Sequence, residues 1–243
     1  EFEAGRYWHA SQILRGGGTD GAVATPSEVL LLARADAGWD NWDGVLAGLE
    51  EATWLDGIGG GEGRLLLARS LEVAERWDEA LQHYQRFRST GALTNEGPWA
   101  ASREAQVAGR AGLWVPMLGA LEATGRRSPE LSKWTVLRLA RNSLESGDAL
   151  QTLRILPMVR GDSAIAELAW DLEPRAWLVA GDTARALDRY AALIRGHLRA
   201  TQRGEALEAI GALAEGKGDV AAAHAAYQAS LDASSRGASG PRA

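Results

Sequence analysis

Four histidines, His9, His83, His197 and His224, are the side chains best suited to proton transfer or metal ligation near neutral pH. None belongs to a His-Glu-x-x-His or comparable ligand spacing, so they read as surface or inter-helix residues. Glu79 and His83 stand four apart, on one face of a helix, which suits local helix support. No elbow motif nominates a serine nucleophile. Cysteine is absent, which removes thiolate zinc sites, iron–sulfur clusters, disulfides and cysteine nucleophiles together while leaving the redox compartment open. The glycine-rich stretch 57–63 has the flexibility of a phosphate cradle. No strand precedes it and no Gly-Lys-Ser/Thr follows, so it reads as a connecting loop. The expectation is a chain without catalytic residues, metal or cofactor.

Arginine offers a different chemistry. Arg34, Arg69, Arg141 and Arg175 stand six residues before a recurring turn residue, a phase they share with Gln106 and Ala212; Arg103 and Arg138 come three residues earlier in their segments. Guanidinium groups in such a line could hold a carboxylate-bearing peptide, the C-terminus of a polypeptide or an anionic glycan by paired hydrogen bonds. Trp99 and Trp134 are the aromatic platforms best placed to join Arg34, Arg69, Arg103, Gln106, Arg138, Arg141 and Arg175 as ligand-binding residues. The competing reading pairs these arginines with neighbouring Asp and Glu and puts the tryptophans in the packing.

The elements that position these residues follow from internal repetition. A turn residue recurs at Gly5, Asp40, Glu75, Gly112, Gly147, Gly181 and Gly218, at intervals of 34 to 37 residues. Five residues after it come Ala10, Val45, Ala80, Met117, Thr152, Ala186 and Ala223; nine after it come Leu14, Leu49, Tyr84, Leu121, Leu156, Tyr190 and Tyr227. Seven before it, Ala33, Ala68, Ala105, Ala140 and Gly211 are small, and Pro174 is the break. Small residues at fixed sites let two helices approach closely, and a large one a turn later fills the gap between neighbours. Trp42, Trp77 and Trp114, with Tyr7, stand two residues after the turn and are expected to pack between successive units.

Helix punctuation agrees. Thr25-Pro26-Ser27-Glu28 supplies a capping hydroxyl, a first-turn proline and a glutamate able to close a capping box; Ser128-Pro129 repeats the start. Gly-Asp at 147–148, 181–182 and 218–219 places a left-handed glycine where one helix ends and an aspartate where the next begins. Gly16-Gly17-Gly18 reads as a loop between units, and Pro174 should break the helix after Leu172, splitting the unit at 163–181. The expected fold is all-α: one helical-repeat array over 1–243, a right-handed superhelix. It comprises a partial unit 1–20, hairpins at roughly 25–56, 61–90, 98–125, 128–159, 163–196 and 202–233, and a disordered tail 234–243.

The Gly-acid-x-x-x-Ala-Leu turn, the large residue at Tyr84, Tyr190 or Tyr227 and the period near 34 resemble tetratricopeptide repeats, most clearly at 62–88, 168–195 and 205–232. The helix-ending proline of that family is missing. The first third, through Gly5-Arg6-Tyr7-Trp8-His9-Ala10-Ser11, Leu31-Leu32-Ala33-Arg34, Trp39-Asp40-Asn41-Trp42, Trp54-Leu55-Asp56 and Gly63-Arg64-Leu65-Leu66-Leu67-Ala68-Arg69, resembles the non-catalytic helical region of bacterial soluble lytic transglycosylases. That resemblance implies a periplasmic or cell-envelope protein acting on peptidoglycan. The catalytic domain of that family has a Glu-Ser pair followed by Gly-Leu-Met-Gln; Glu145-Ser146 is followed here by Gly147-Asp148-Ala149-Leu150, which continues the repeat turn.

Composition bounds the partners. A net charge of −6 over 243 residues disfavours nucleic acid, whose phosphates need a basic face. No apolar run reaches the roughly 18 residues of a membrane span. Lys133 and Lys217 are the only lysines, so the arginine excess also has the character of a coding bias. The sequence opens at Glu1-Phe2-Glu3-Ala4 in what reads as a helix, without a charged-then-apolar leader, and a signal peptide removed upstream stays open. The expected partner is a protein or peptide, or a peptidoglycan glycan; the alternative to an envelope protein is a cytoplasmic adaptor binding a peptide in its groove.

Overall fold

The structure is a computed structural model describing residues 1, 3–16, 24–91, 94–159, 161–196 and 198–238. Regular structure among these residues is entirely helical. The chain divides into two compact units, residues 1–135 and 136–243. The first holds α1 (Tyr7–Gly16), α2 (Pro26–Gly38), α3 (Trp42–Leu49), α4 (Glu62–Val73), α5 (Trp77–Gly91), α6 (Gly97–Arg110), α7 (Trp114–Arg127) and the start of α8 (Pro129–Glu145). Within it α1 packs on α2, α2 on α3, α3 on α4, α4 on α5, α5 on α6 and α6 on α7. The second unit holds the rest of α8, then α9 (Ala149–Ile155), α10 (Ser163–Leu168), α11 (Leu172–Val179), α12 (Thr183–Arg195), α13 (Ala200–Gly216) and α14 (Val220–Ala238). There α9 packs on α11, α11 on α12, α12 on α13 and α13 on α14.

The seven turn residues share one backbone geometry. Each takes the left-handed conformation, with φ between 58° and 83°. At six of them the following N–H donates to the carbonyl five residues back: Asn41 to Asp36, Arg76 to Leu71, Leu113 to Ala108, Asp148 to Ser143, Asp182 to Trp177 and Asp219 to Ala214, all at 2.8–3.0 Å. Arg6 makes the same bond to Glu1 after Gly5. This is the Schellman closure, which satisfies a carbonyl that a helix end would leave unpaired. Five of the seven are glycine; Asp40 and Glu75 adopt the conformation with a Cβ, at about 1 kcal/mol each. Just beyond the turn, Asp148, Asp182 and Asp219 accept the amides of Gln151, Arg185 and Ala222 at 2.9, 2.9 and 3.0 Å, so each carboxylate caps the next helix. At α2 the Thr25–Glu28 box closes in both directions, Thr25 N–H donating to Glu28 Oε2 at 2.7 Å and Glu28 N–H to Thr25 Oγ1 at 3.3 Å.

The core lies where the spacing puts it. All seven residues five after a turn are buried, and so are all six seven before one, Pro174 included. Gly211 shows why the second set is small: a Cβ there would stand 2.7 Å from the Tyr227 ring on α14. Tyr7 likewise sits against Gly38, leaving no room for a Cβ on α2.

Local differences have local causes. The helix expected from Glu1 begins at Tyr7, because Glu3–Gly5 form a turn. The break expected after Leu172 falls at 169–171 instead, and Pro174 sits in the first turn of α11, where a missing N–H leaves no helical bond unmade. Helix α14 continues to Ala238, into the segment expected as a tail, while 239–243 lie outside the described residues. Gly17 and Gly18 of the expected loop also lie outside them, as does His197.

Candidate functional site

In the first unit a groove of about 600 Å³ opens between α3, α4, α5 and the start of α6. Trp42, Leu65, Leu66, Phe87 and Trp99 give it apolar walls, and Glu62, Arg69, Thr94 and Glu96 are its polar lining. Helical spacing positions this set. Glu62, Leu66 and Arg69 fall at i, i+4 and i+7 of α4, one face of that helix. The turn Gly59–Gly61 that starts α4 is left-handed throughout, with φ of 60°, 62° and 87°. At Gly61 a side chain would be strained by the φ of 87° and would crowd the ring of Phe87, the buried floor of the groove, from 3.1 Å.

The charges around the groove are mostly matched to one another. Arg34 reaches Glu62 with two hydrogen bonds, Nε to Oε1 at 2.7 Å and Nη2 to Oε2. Bonding to Glu62 holds the Arg34 guanidinium more firmly in its charged form. Arg69 pairs with Glu72 at 2.9 Å and stacks over Trp42, 5.6 Å from the ring centre. Glu72 is buried and is the hub of a polar network. Its Oε2 accepts from the Tyr84 hydroxyl at 3.0 Å and from Arg103 Nε at 3.1 Å, and its Oε1 accepts from Arg103 Nη2. The network continues through Arg103 Nη1 to Gln106 Oε1 at 3.4 Å, Gln106 Nε2 to Ser102 at 3.3 Å, and Ser102 to Thr135 at 2.7 Å. Burial, reinforced by the Glu72 carboxylate, pushes the Tyr84 hydroxyl well above its ordinary value, so Tyr84 stays a neutral donor.

The residues expected to bind ligand are therefore distributed as follows. Arg69 and Trp99 line the groove, Arg34 flanks it through Glu62, and Arg103 and Gln106 lie buried in the network with Arg69's own partner. Trp134 is half-exposed and is the sixth residue of α8. In the second unit Arg141 donates to the Leu168 carbonyl at 2.8 Å, Arg175 pairs with Asp171 at 2.9 Å, and Arg138 is exposed. Arg34, Arg69, Arg103 and Arg175 thus meet carboxylates of this same polypeptide, the competing reading of the arginine line.

Glu79, His83 and Ser146 make contacts within the polypeptide. Glu79 bonds to Arg76 at 2.7 and 2.6 Å, while His83 faces Arg64 at 3.0 Å, and burial with that neighbouring cation lowers its pKa. Glu145 ends α8, and the Ser146 hydroxyl donates to the Ser143 carbonyl at 3.0 Å. Among the described residues no three His, Asp or Glu side chains gather as a metal site. Trp77 carries Arg110 over its ring at 5.1 Å, so this tryptophan joins α5 to α6 as its phase predicts.

Sequence reasoning missed three features. Glu62, Trp99 and Trp134 share one phase, thirteen before their turn residues, and this signal was available. So was a Glu–Tyr pair twelve apart: Glu72 accepts from Tyr84, and Glu215 accepts from Tyr227 at 2.9 Å at the equivalent positions. The third is a cavity of about 570 Å³ in the second unit, with Leu156, Val159, Trp170, Pro174 and Leu193 in its walls. It lies beside the break between α10 and α11 at 169–171.

No known protein family matches the sequence, and no curated protein matches it. Neither comparison supports the resemblance of the first third to lytic transglycosylases.

Proposed function

We propose that this protein is a non-catalytic binding module, an array of tetratricopeptide-like helical hairpins that holds a partner segment in the groove of residues 1–135. The observation that carries the reading is the groove itself: tryptophans from two helices, Trp42 and Trp99, face one volume of about 600 Å³ over a buried Phe87. That size falls in the range of ligand sites, about 300–1,000 Å³, and its mix of apolar wall with few polar groups is the usual one. The repeat part of the proposal draws on the seven equivalent left-handed turns and the two equivalent Glu–Tyr pairs. The right-handed superhelix and the single array over 1–243 remain part of the proposal.

The test is selection of peptides on the purified protein, followed by measurement of the selected peptides on Trp42→Ala and Trp99→Ala. Loss of binding with unchanged circular dichroism supports the groove; binding indifferent to both substitutions removes it. The second reading, an accessory region of a cell-envelope protein that positions peptidoglycan, draws on the partly exposed Trp99 as a platform for a sugar ring. Retention on purified peptidoglycan sacculi, abolished by Trp99→Ala, would favour it over the peptide adaptor, and no retention counts against it.

A further inference from the structure

Taking the groove of residues 1–135 as the binding site, on which the following rests, we infer that its ligand is a short extended peptide with an aromatic or branched aliphatic side chain two residues from a lysine or arginine. The inference turns on which charges the groove has left to offer. Arg34 and Glu62 satisfy each other through two hydrogen bonds, and Arg69 is held by Glu72 and by the face of Trp42. An anionic ligand would have to displace a carboxylate already in place on either arginine. Glu96 is different. It lies exposed at the mouth of the groove, at the residue before α6, and has no ion pair and no side-chain hydrogen bond among the described residues.

The groove therefore presents an apolar floor and walls with the unpaired carboxylate of Glu96 at the rim, where the nearby Arg127 guanidinium is taken up by the Thr94 carbonyl at 3.1 Å. Such a site gains most from an occupant that buries an apolar side chain against Trp42, Phe87 and Trp99 and sets a cation beside Glu96. The net charge of −6 draws the same class of partner by long-range attraction. A cationic side chain also gains from lying over the Trp99 ring, which is 40% exposed at this rim. In an extended peptide, side chains two residues apart lie on one face, so an apolar side chain and a cation at that spacing both turn toward the groove.

The experiment is selection from a phage-displayed random heptapeptide library on the protein of 243 residues, repeated on Glu96→Lys. The expected consensus pairs Lys or Arg with Trp, Phe, Leu or Ile, and its synthetic peptides weaken by about 30-fold on Trp99→Ala, the loss typical of an interface hot spot. Glu96→Lys, an exposed change that leaves the core untouched, is expected to turn the charge preference of the consensus from basic to acidic. Peptides of neutral or acidic consensus that still depend on Trp42 and Trp99 would overturn this ligand class while leaving the groove as the binding site. Tight binding of an N-acetylglucosamine tetramer that the Trp99 change abolishes, with no peptide enriched, would overturn it in favour of a glycan. Peptides indifferent to both tryptophans would overturn the ligand class and the groove reading together.

Discussion

Removing the Glu72 carboxylate should destabilise the first unit far more than removing an exposed one. Glu72 and Arg103 are both buried, at 7% and 9% exposure, and Glu72 is also the acceptor for the Tyr84 hydroxyl and the partner of Arg69. In Glu72→Ala, Arg69 can turn to solvent. Arg103 and Tyr84 cannot, and an unpaired buried cation with an unsatisfied hydroxyl costs about 3–5 kcal/mol. For a protein of this length that corresponds to a fall in Tm of roughly 2–4 °C per kcal/mol, so about 10 °C in all. The exposed pair Glu122–Arg126 supplies the contrast: its members are four apart on α7 at 67% and 69% side-chain exposure, and Glu122→Ala should cost no more than about 0.5 kcal/mol. Urea unfolding at neutral pH followed by circular dichroism gives both numbers. The combined change of Glu72 and Arg103 to methionine with Tyr84→Phe should recover much of the loss, because it removes the buried polar groups together. A Glu72→Ala cost as small as that of Glu122→Ala would refute the buried-hub account.

Three other changes probe the turns, the close contacts and the pH response. Glu75→Gly, at φ 58°, should stabilise by about 1 kcal/mol by relieving a left-handed Cβ, whereas Gly181→Ala should destabilise by a similar amount; equal signs in urea unfolding would contradict the shared turn geometry. Gly211→Ala improves helix propensity by about 1 kcal/mol yet sets a methyl 2.7 Å from the Tyr227 ring, so the net effect should be destabilising and should reverse when combined with Tyr227→Leu. Hydrogen bonding to Arg64, aided by Arg86, holds the Asp56 carboxyl below its ordinary 3.8. The folded state then binds its proton less readily than the unfolded state, so this contribution is present above pH 3.8 and is lost as pH falls below it. Asp56→Asn should therefore cost stability at neutral pH and progressively less in acid; a difference that does not change with pH would sink the assignment.

The backbone was far more legible than the site, for a physical reason. A left-handed turn demands one residue with a tolerant backbone, so Gly112, Gly147, Gly181 and Gly218 announce it locally, and Ala68, Ala105 and Ala140 announce close helix approach in the same way. Ion pairing is not local. Arg34 finds Glu62, and Arg103 finds Glu72, across 28 and 31 residues, and only the packing of neighbouring helices brings them together. The arginine phase is real in the sequence, but phase alone does not say whether the facing side chain is a ligand or a glutamate of the same polypeptide. Trp42 has the phase of a packing residue and does bear Arg69, yet its position on α3 also makes it a wall of the groove. The cavity beside Trp170 was hidden for the opposite reason, since it arises where the helix breaks at 169–171, which the regular spacing of the turn residues does not reveal.

The most direct measurement of the central claim is a titration of ¹⁵N-labelled protein with a selected peptide, following the indole N–H resonances of the ten tryptophans. The account predicts that Trp42 and Trp99 shift together and saturate at one equivalent, with Trp170 unmoved. Shifts centred on Trp170, with Trp42 and Trp99 unaffected, would place the binding surface elsewhere and contradict it.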